Sequence, residues 1–201
     1  MRRFTLLMCV FGLLFASAPR SQSAAKTAEQ LAAAFDAHKG DFDYLLGDWQ
    51  FDAKSQEHGV YHGLWSAVRL TEGQILDEFR VVGDNRETIF MTTTIRAYNA
   101  AADRWDLIGM DQGSGLQDVG TGRRTGNDVH IEQTFGATGP RPLIRKIRYF
   151  NIQANRFSWT SDRSNDGGKT WIKDELQIEA RRTGPARTLE PLTRVKSSPK
   201  E

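Results

Sequence analysis

Phe42-Asp43-Tyr44-Leu45-Leu46-Gly47-Asp48-Trp49-Gln50-Phe51 runs an apolar turn into a glycine, with a tryptophan two residues later. From that tryptophan onward the chain breaks into short segments separated by turn residues, the signature of an all-β protein. Ten strands are predicted, over 49–54, 60–70, 74–82, 87–98, 104–111, 116–124, 129–135, 142–152, 156–162 and 170–182. Their connections are too short for crossover helices, so neighbouring strands must be antiparallel. Ten such strands in sequence predict an up-and-down antiparallel barrel that returns to cover Trp49.

Upstream, Thr27-Ala28-Glu29-Gln30 is a capping-box pattern ahead of Leu31 and Phe35, and Gly40 suits a helix end. A short N-terminal helix is therefore predicted within 24–40, outside or at one end of a domain spanning 41–182. Residues 1–23 read as a signal peptide: Arg2 and Arg3 precede an apolar run over 6–15 that is too short to span a bilayer, and small residues follow near Ser23 and Ala24. The chain is thus expected to be exported, to a periplasm or beyond. The segment 183–201 loses all periodicity and reads as a disordered basic tail.

Cys9 is the only cysteine and lies inside the leader. A chain cleaved there has no thiol, which excludes disulfides, cysteine-based metal sites and a cysteine nucleophile. Cleavage also removes three arginines and no acid, taking the net charge from +2 to about −1. A near-neutral surface argues against nucleic acid as a partner.

Alternation along the strands indicates which side chains face inward. Trp105, Leu107 and Gly109 share one parity, with Asp111 at the strand end; Gln133 and Phe135 share another with Val129 and Ile131; Phe157, Trp159 and Ser161 form a third. On the last strand the apolar set is Ile172, Leu176, Ile178 and Ala180. The strand over 142–152 is undecided, because Lys146 and Arg148 sit on one face and Arg145 on the other, so some charge must lie inside or at a rim. The expected ligand cavity is lined by Trp105, Leu107, Asp111, Gln133, Phe135, Arg148, Phe157 and Trp159.

Gly47-Asp48-Trp49 opening the first strand after a helical turn resembles the calycin superfamily, which includes lipocalins, fatty-acid-binding proteins and nitrobindin-like ten-stranded barrels. Over 41–182 the chain looks most like a bacterial group of exported domains of unknown function. The resemblance implies a calycin-like barrel in which a basic residue of the last strand covers the indole; Arg182 holds that position, so Gly47, Trp49 and Arg182 are expected to close the barrel. Nitrobindin-like barrels hold haem through a late histidine. No histidine follows His130 in this sequence, so no haem and no other cofactor is expected. Ser164-Asn165-Asp166-Gly167-Gly168-Lys169-Thr170-Trp171 resembles the Asp-box hairpins of sialidase propellers. One copy reads as a turn staple built by Ser164, Asp166, Gly168, Thr170 and Trp171.

No catalytic constellation emerges. His38, His58, His62 and His130 lack metal-ligand spacing, and no metal site is expected. Asp77 and Glu78 point to opposite faces and suit a cross-strand ion pair. Ser114 lacks the strand–elbow–helix of a nucleophile. The expected partner is a small apolar or amphipathic molecule in the lumen, with no membrane span after cleavage. The alternatives are an enzyme using the same cavity, or a filled barrel acting as a structural or envelope interaction module.

Overall fold

The computed structural model describes residues 25–71, 73–136, 139–140 and 142–189; the expected leader and the end of the expected tail lie outside them. Ten antiparallel strands follow one another in order: β1 (Gly47–Ser55), β2 (Gly59–Arg69), β3 (Ile75–Val82), β4 (Thr88–Asn99), β5 (Arg104–Asp111), β6 (Gly115–Thr125), β7 (Asp128–Phe135), β8 (Leu143–Gln153), β9 (Arg156–Ser164) and β10 (Ile172–Gly184). Each pairs with its neighbour, and β1 pairs with both β2 and β10, so the sheet closes into an up-and-down barrel. Closure leaves no strand unpaired among the described residues, and only the end of β2 beyond Ala67 is left free by β1.

The segment read as tail from 183 onward begins with ordered strand. β10 continues to Gly184, and a two-residue strand, β11 (Arg187–Thr188), pairs in parallel with Val68 and Arg69 of β2. That edge is available because β1 reaches only to Ala67. Arg187 fastens the return through Asp48 Oδ1 (2.5 Å) and Ser66 Oγ (2.7 Å).

Helix α1 (Ala28–His38) starts on the expected capping box, in which Thr27 and Gln30 exchange side-chain and backbone hydrogen bonds. None of its residues is buried, and it rests at one end of the barrel. His38 stacks on Tyr98 of β4, and the Phe35 ring lies against Gly73.

That end is sealed by the stretch before β1. Phe42, Leu45 and Leu46 are buried, and Phe42 meets Trp105 edge-on at 5.0 Å. The Trp49 indole donates to Leu45 O (2.8 Å) and packs on Phe157 at 4.8 Å. Over its other face lies the Arg182 guanidinium, 4.1 Å from the ring centroid, which also donates to the carbonyls of Tyr44, Leu46 and Ala154. Cation–π attraction and the bonds to the Tyr44 and Leu46 carbonyls thus lock the last strand to the entry of the first, and the Ala154 bond ties both to the β8–β9 turn. Gly47 is required where it stands: its φ is +107°, and a Cβ would lie 2.6 Å from the Arg182 guanidinium and 2.7 Å from Gly184 O.

One register expectation fails on β10. A bulge between Ile172 and Leu176, with Asp174 at φ +47°, puts consecutive residues on the barrel side. Glu175 is therefore buried, although simple alternation points it outward. Ile172, expected inside, is exposed.

Candidate functional site

Above the aromatic floor the barrel is not packed solid. A cavity of about 710 Å³ opens at the end opposite α1. The lip carries His58, Val81, Ile89, Phe90 and Leu143; deeper walls carry Phe79, Phe135, Ile147, Trp159, Leu176 and Ile178. Phe79 is held by stacking on Phe51 at 4.6 Å and by Trp65 edge-on at 5.3 Å.

Three polar groups interrupt this surface. At the base, Asp77 of β3 forms a buried ion pair with Arg96 of β4 and accepts from the Trp65 indole at 2.7 Å. Arg96 Nη2 also donates to the Tyr149 hydroxyl at 3.4 Å. Burial pushes the Tyr149 hydroxyl pKa up, with Arg96 opposing the shift. On another wall Arg145 of β8 donates to Glu175 (2.5 Å) and Ser161 Oγ (2.8 Å), and Glu175 accepts from Ser55 Oγ. The bulge in β10 supplies this anion, so the Arg145 charge is neutralised within the wall.

Asp118 of β6 is the third group. It is 2% exposed, and its Oδ1 accepts from Gln133 Nε2 at 2.7 Å. No salt bridge reaches it among the described residues. Burial raises its pKa to about 6, against lesser opposing effects of the Gln133 hydrogen bond and the Arg96 charge. Gly109 makes room for it: the two residues are directly paired across β5 and β6, and a Cβ at Gly109 would fall within 1.9 Å of the carboxylate. Gly120 stands likewise opposite Gln133, with 2.5 Å between its would-be Cβ and Gln133 Cγ.

Of the eight residues expected at the cavity, Gln133, Phe135 and Trp159 line it. Trp105, Leu107 and Phe157 do face inward, but they lie in the packed floor below the open space. Asp111 has the inward parity of its strand, yet at the strand end it folds back onto Ser114 Oγ (2.8 Å) and Gly113 N (3.1 Å). Arg148 belongs to the outer face of β8, where it pairs with Asp128 and covers Phe150. The inward set on that strand is Leu143, Arg145, Ile147 and Tyr149.

Arg96, Asp118 and Glu175 were missed because their types are usually exposed; Asp77 does form a cross-strand ion pair, with Arg96, and Arg145 is the charge of the undecided strand that lies inside. A signal for Asp118 and Gln133 exists in retrospect. Each large polar side chain faces a glycine across the ladder, and glycine in a strand marks a close approach.

The hairpin between β9 and β10 has the geometry of a turn staple. Asp166 accepts from the Lys169 and Thr170 amides and from the Thr170 hydroxyl, while Ser164 Oγ receives the Gly168 amide. These bonds hold the Asp166 pKa well below the usual carboxylate range. Trp171 closes the turn onto Gly168 O, with Lys146 Nζ 4.2 Å above its ring. His58 is the one histidine at the cavity lip; His38 binds Asp41 and His62 binds Asp52 elsewhere. Among the described residues no group of three or more histidines, cysteines or acids could hold a metal, and no helix is long and apolar enough to cross a membrane.

Fold and cavity together define a class: a ten-stranded up-and-down antiparallel barrel, sealed at one end and open at the other into a mainly apolar lumen. The architecture is similar to that of Rv2717c from M. tuberculosis, with a TM-score of 0.51 and 16% identity, covering 75% of this chain and 97% of that one. The likeness is weaker to the redesigned β-barrel mFAP1 bound to DFHBI (TM-score 0.38, 12% identity, 69% of this chain and 95% of that one). It is equally weak to EF1p2_mFAP2b bound to DFHBI (TM-score 0.38, 12% identity, 72% and 98%). No family model matches the sequence, and no curated protein matches it.

Proposed function

We propose that this chain is an exported, calycin-like barrel that binds a small amphipathic molecule in its lumen. The observation that carries the reading is the 710 Å³ cavity, apolar over most of its wall and interrupted by a few convergent polar groups. Volume and lining match sites that bury small ligands. The aromatic floor supports it too, because a sealed base gives a ligand one way in and out. Export rests on the leader-like residues 1–23, and intact mass of the secreted protein, starting near Ser23 or Ala24, tests it.

Binding is tested with Nile red, a neutral environment-sensitive dye. Saturable binding at one site is expected, and Thr94→Phe, which fills the lumen from a buried position on β4, should abolish it. Outward-facing Ile108 belongs to an apolar surface formed with Ile95 and Val119, its cross-strand partners; Ile108→Ser should leave binding unchanged. Dye binding that ignores Thr94→Phe and disappears with Ile108→Ser would refute a lumen site. A second reading, an enzyme working in the same lumen, is favoured by one observation: Asp118, whose pKa burial raises to about 6, lines the open space.

A further inference from the structure

The lumen is a place where charge has been balanced with one exception. Arg96 is met by Asp77 in a buried pair, and Arg145, itself half-buried, is met by the buried Glu175. Both cations are thus already neutralised, and a buried cation that holds its own counter-ion gains little from a second anion. Asp118 has no such cation in contact. Its protein partner is the Gln133 amide, which satisfies one lone pair of one oxygen and no charge. Its side chain lines the cavity beside Gln133, below the apolar wall that carries Phe79, Phe135 and Leu143. A ligand whose head completes this arrangement must bring positive charge and N–H donors, and its body must be apolar.

We propose that the lumen selects amphiphiles whose head is a protonated amine, with Asp118 as the carboxylate that receives it. This inference rests on the ligand-binding reading above. An ammonium at this depth gains a charge-assisted hydrogen bond where water competes poorly. A fatty carboxylate in the same pose would bring like charge against Asp118. Arg96 Nε is buried without a protein partner, so an anionic head is the rival that the experiment must include. The groups that face Asp118 are Gly109 on β5, Gln133 on β7, the Arg96 charge on β4 and the Tyr149 hydroxyl on β8. Of these, Arg96 is the only ion, and Asp77 on β3 neutralises it.

Decylamine, decanol and decanoate share one chain and differ in the head, and each is titrated against bound Nile red. At about pH 8 decylamine should compete at least about tenfold better than decanol, the low end for a hydrogen bond to a charged group. Decanoate should be the poorest. In Asp118→Asn the advantage of the amine over decanol should fall to near unity while decanol binding holds. The unsubstituted protein gives a second arm that needs no variant. At about pH 5, one unit below the Asp118 pKa of about 6, most of the carboxyl is protonated, and the amine's advantage should shrink by about tenfold. A His58→Gln control removes the lip imidazole from that comparison. Decanoate competing as well as decylamine, or an amine advantage unmoved by both Asp118→Asn and acid, overturns the inference and leaves the lumen site standing. Failure of Nile red and all three decyl probes to bind overturns the ligand-binding reading itself.

Discussion

Asp118→Asn should make the protein more stable, and by an amount that depends on pH. The folded state raises the Asp118 pKa from 3.8 to about 6. Below the lower value both folded and unfolded chains hold the proton, and the carboxyl costs nothing. As pH rises through the window between them the unfolded chain ionises first, so stability falls; above about 6 the folded chain carries the buried charge and the full cost stands. Two pKa units correspond to about 3 kcal/mol, and because the carboxyl faces an open lumen the expected figure is nearer 2 kcal/mol. Asparagine keeps an oxygen for the Gln133 amide and has nothing to ionise. Urea denaturation followed by tryptophan fluorescence, run in parallel on both proteins from about pH 4 to 8, isolates this residue from the other titrating groups. The variant should gain roughly 2 kcal/mol above pH 7, near 5 °C in midpoint for a barrel of this size, and nothing below pH 4. A difference that is independent of pH, or a loss of stability at pH 8, would refute the argument that the fold strains this carboxylate. A gain accompanied by lost amine selectivity would show that stability is given up here for binding.

Trp49→Ala should destabilise by about 3–5 kcal/mol, as for other buried aromatics. Because Arg182 sits 4.1 Å over that ring, the double-mutant cycle with Arg182→Ala should be non-additive, and additive denaturation energies would show that the cation–π contact is idle. Gly109→Ala should cost about 1–3 kcal/mol by driving a methyl into Asp118, and Asp118→Ala should relieve most of it in the double variant; a cycle with no coupling would mean the strand shifts instead. Asp166→Ala should speed hydrogen exchange at the Lys169 and Thr170 amides without altering exchange in β4, and unchanged protection in the turn would show that the staple is redundant.

The barrel was legible because its evidence is repeated. Ten alternating segments with turn residues between them each vote for the same topology, and an error of a residue or two at any end leaves the pairing intact. Trp49 and Arg182 could be brought together from sequence because strand parity and a family resemblance agreed. The lumen was legible only as a parity. Alternation places Trp105 and Gln133 on the same face, but it has no coordinate along the barrel axis, so it does not divide the packed floor from the open cavity. The buried ions were illegible for a different reason. Glu175 reaches the interior through a bulge that a period of two does not anticipate, and Arg96 is tolerable inside only because Asp77 lies on the next strand. Such pairs depend on register, which sequence reading leaves uncertain by the one residue that inverts every face.

An even number of strands also decides how the mouth is built. The hairpins β1–β2, β3–β4, β5–β6, β7–β8 and β9–β10 all turn at the open end, while the described chain enters and leaves at the sealed end. These five turns are not equally fastened. Gln56 of the first turn donates to the carbonyls of Lys173 and Asp174, and Glu57 pairs with Arg163, so the first hairpin is tied to the last. That side is further held by the Asp166 staple and by Glu175 on Arg145. The β3–β4 turn, by contrast, is held by contacts within itself, between Gly83 and Glu87, and its lip exposes Ile89 and Phe90. Under the lumen-binding proposal the apolar body of a ligand enters past this looser apolar lip, and the fixed wall of β8 and β10 keeps the Arg145–Glu175 pair in register. Ile89→Ser should therefore slow both association and release of Nile red while leaving its equilibrium affinity within about threefold, since a lip residue changes the barrier more than the seated state. Stopped-flow traces identical to those of the unsubstituted protein would place the entry elsewhere on the rim.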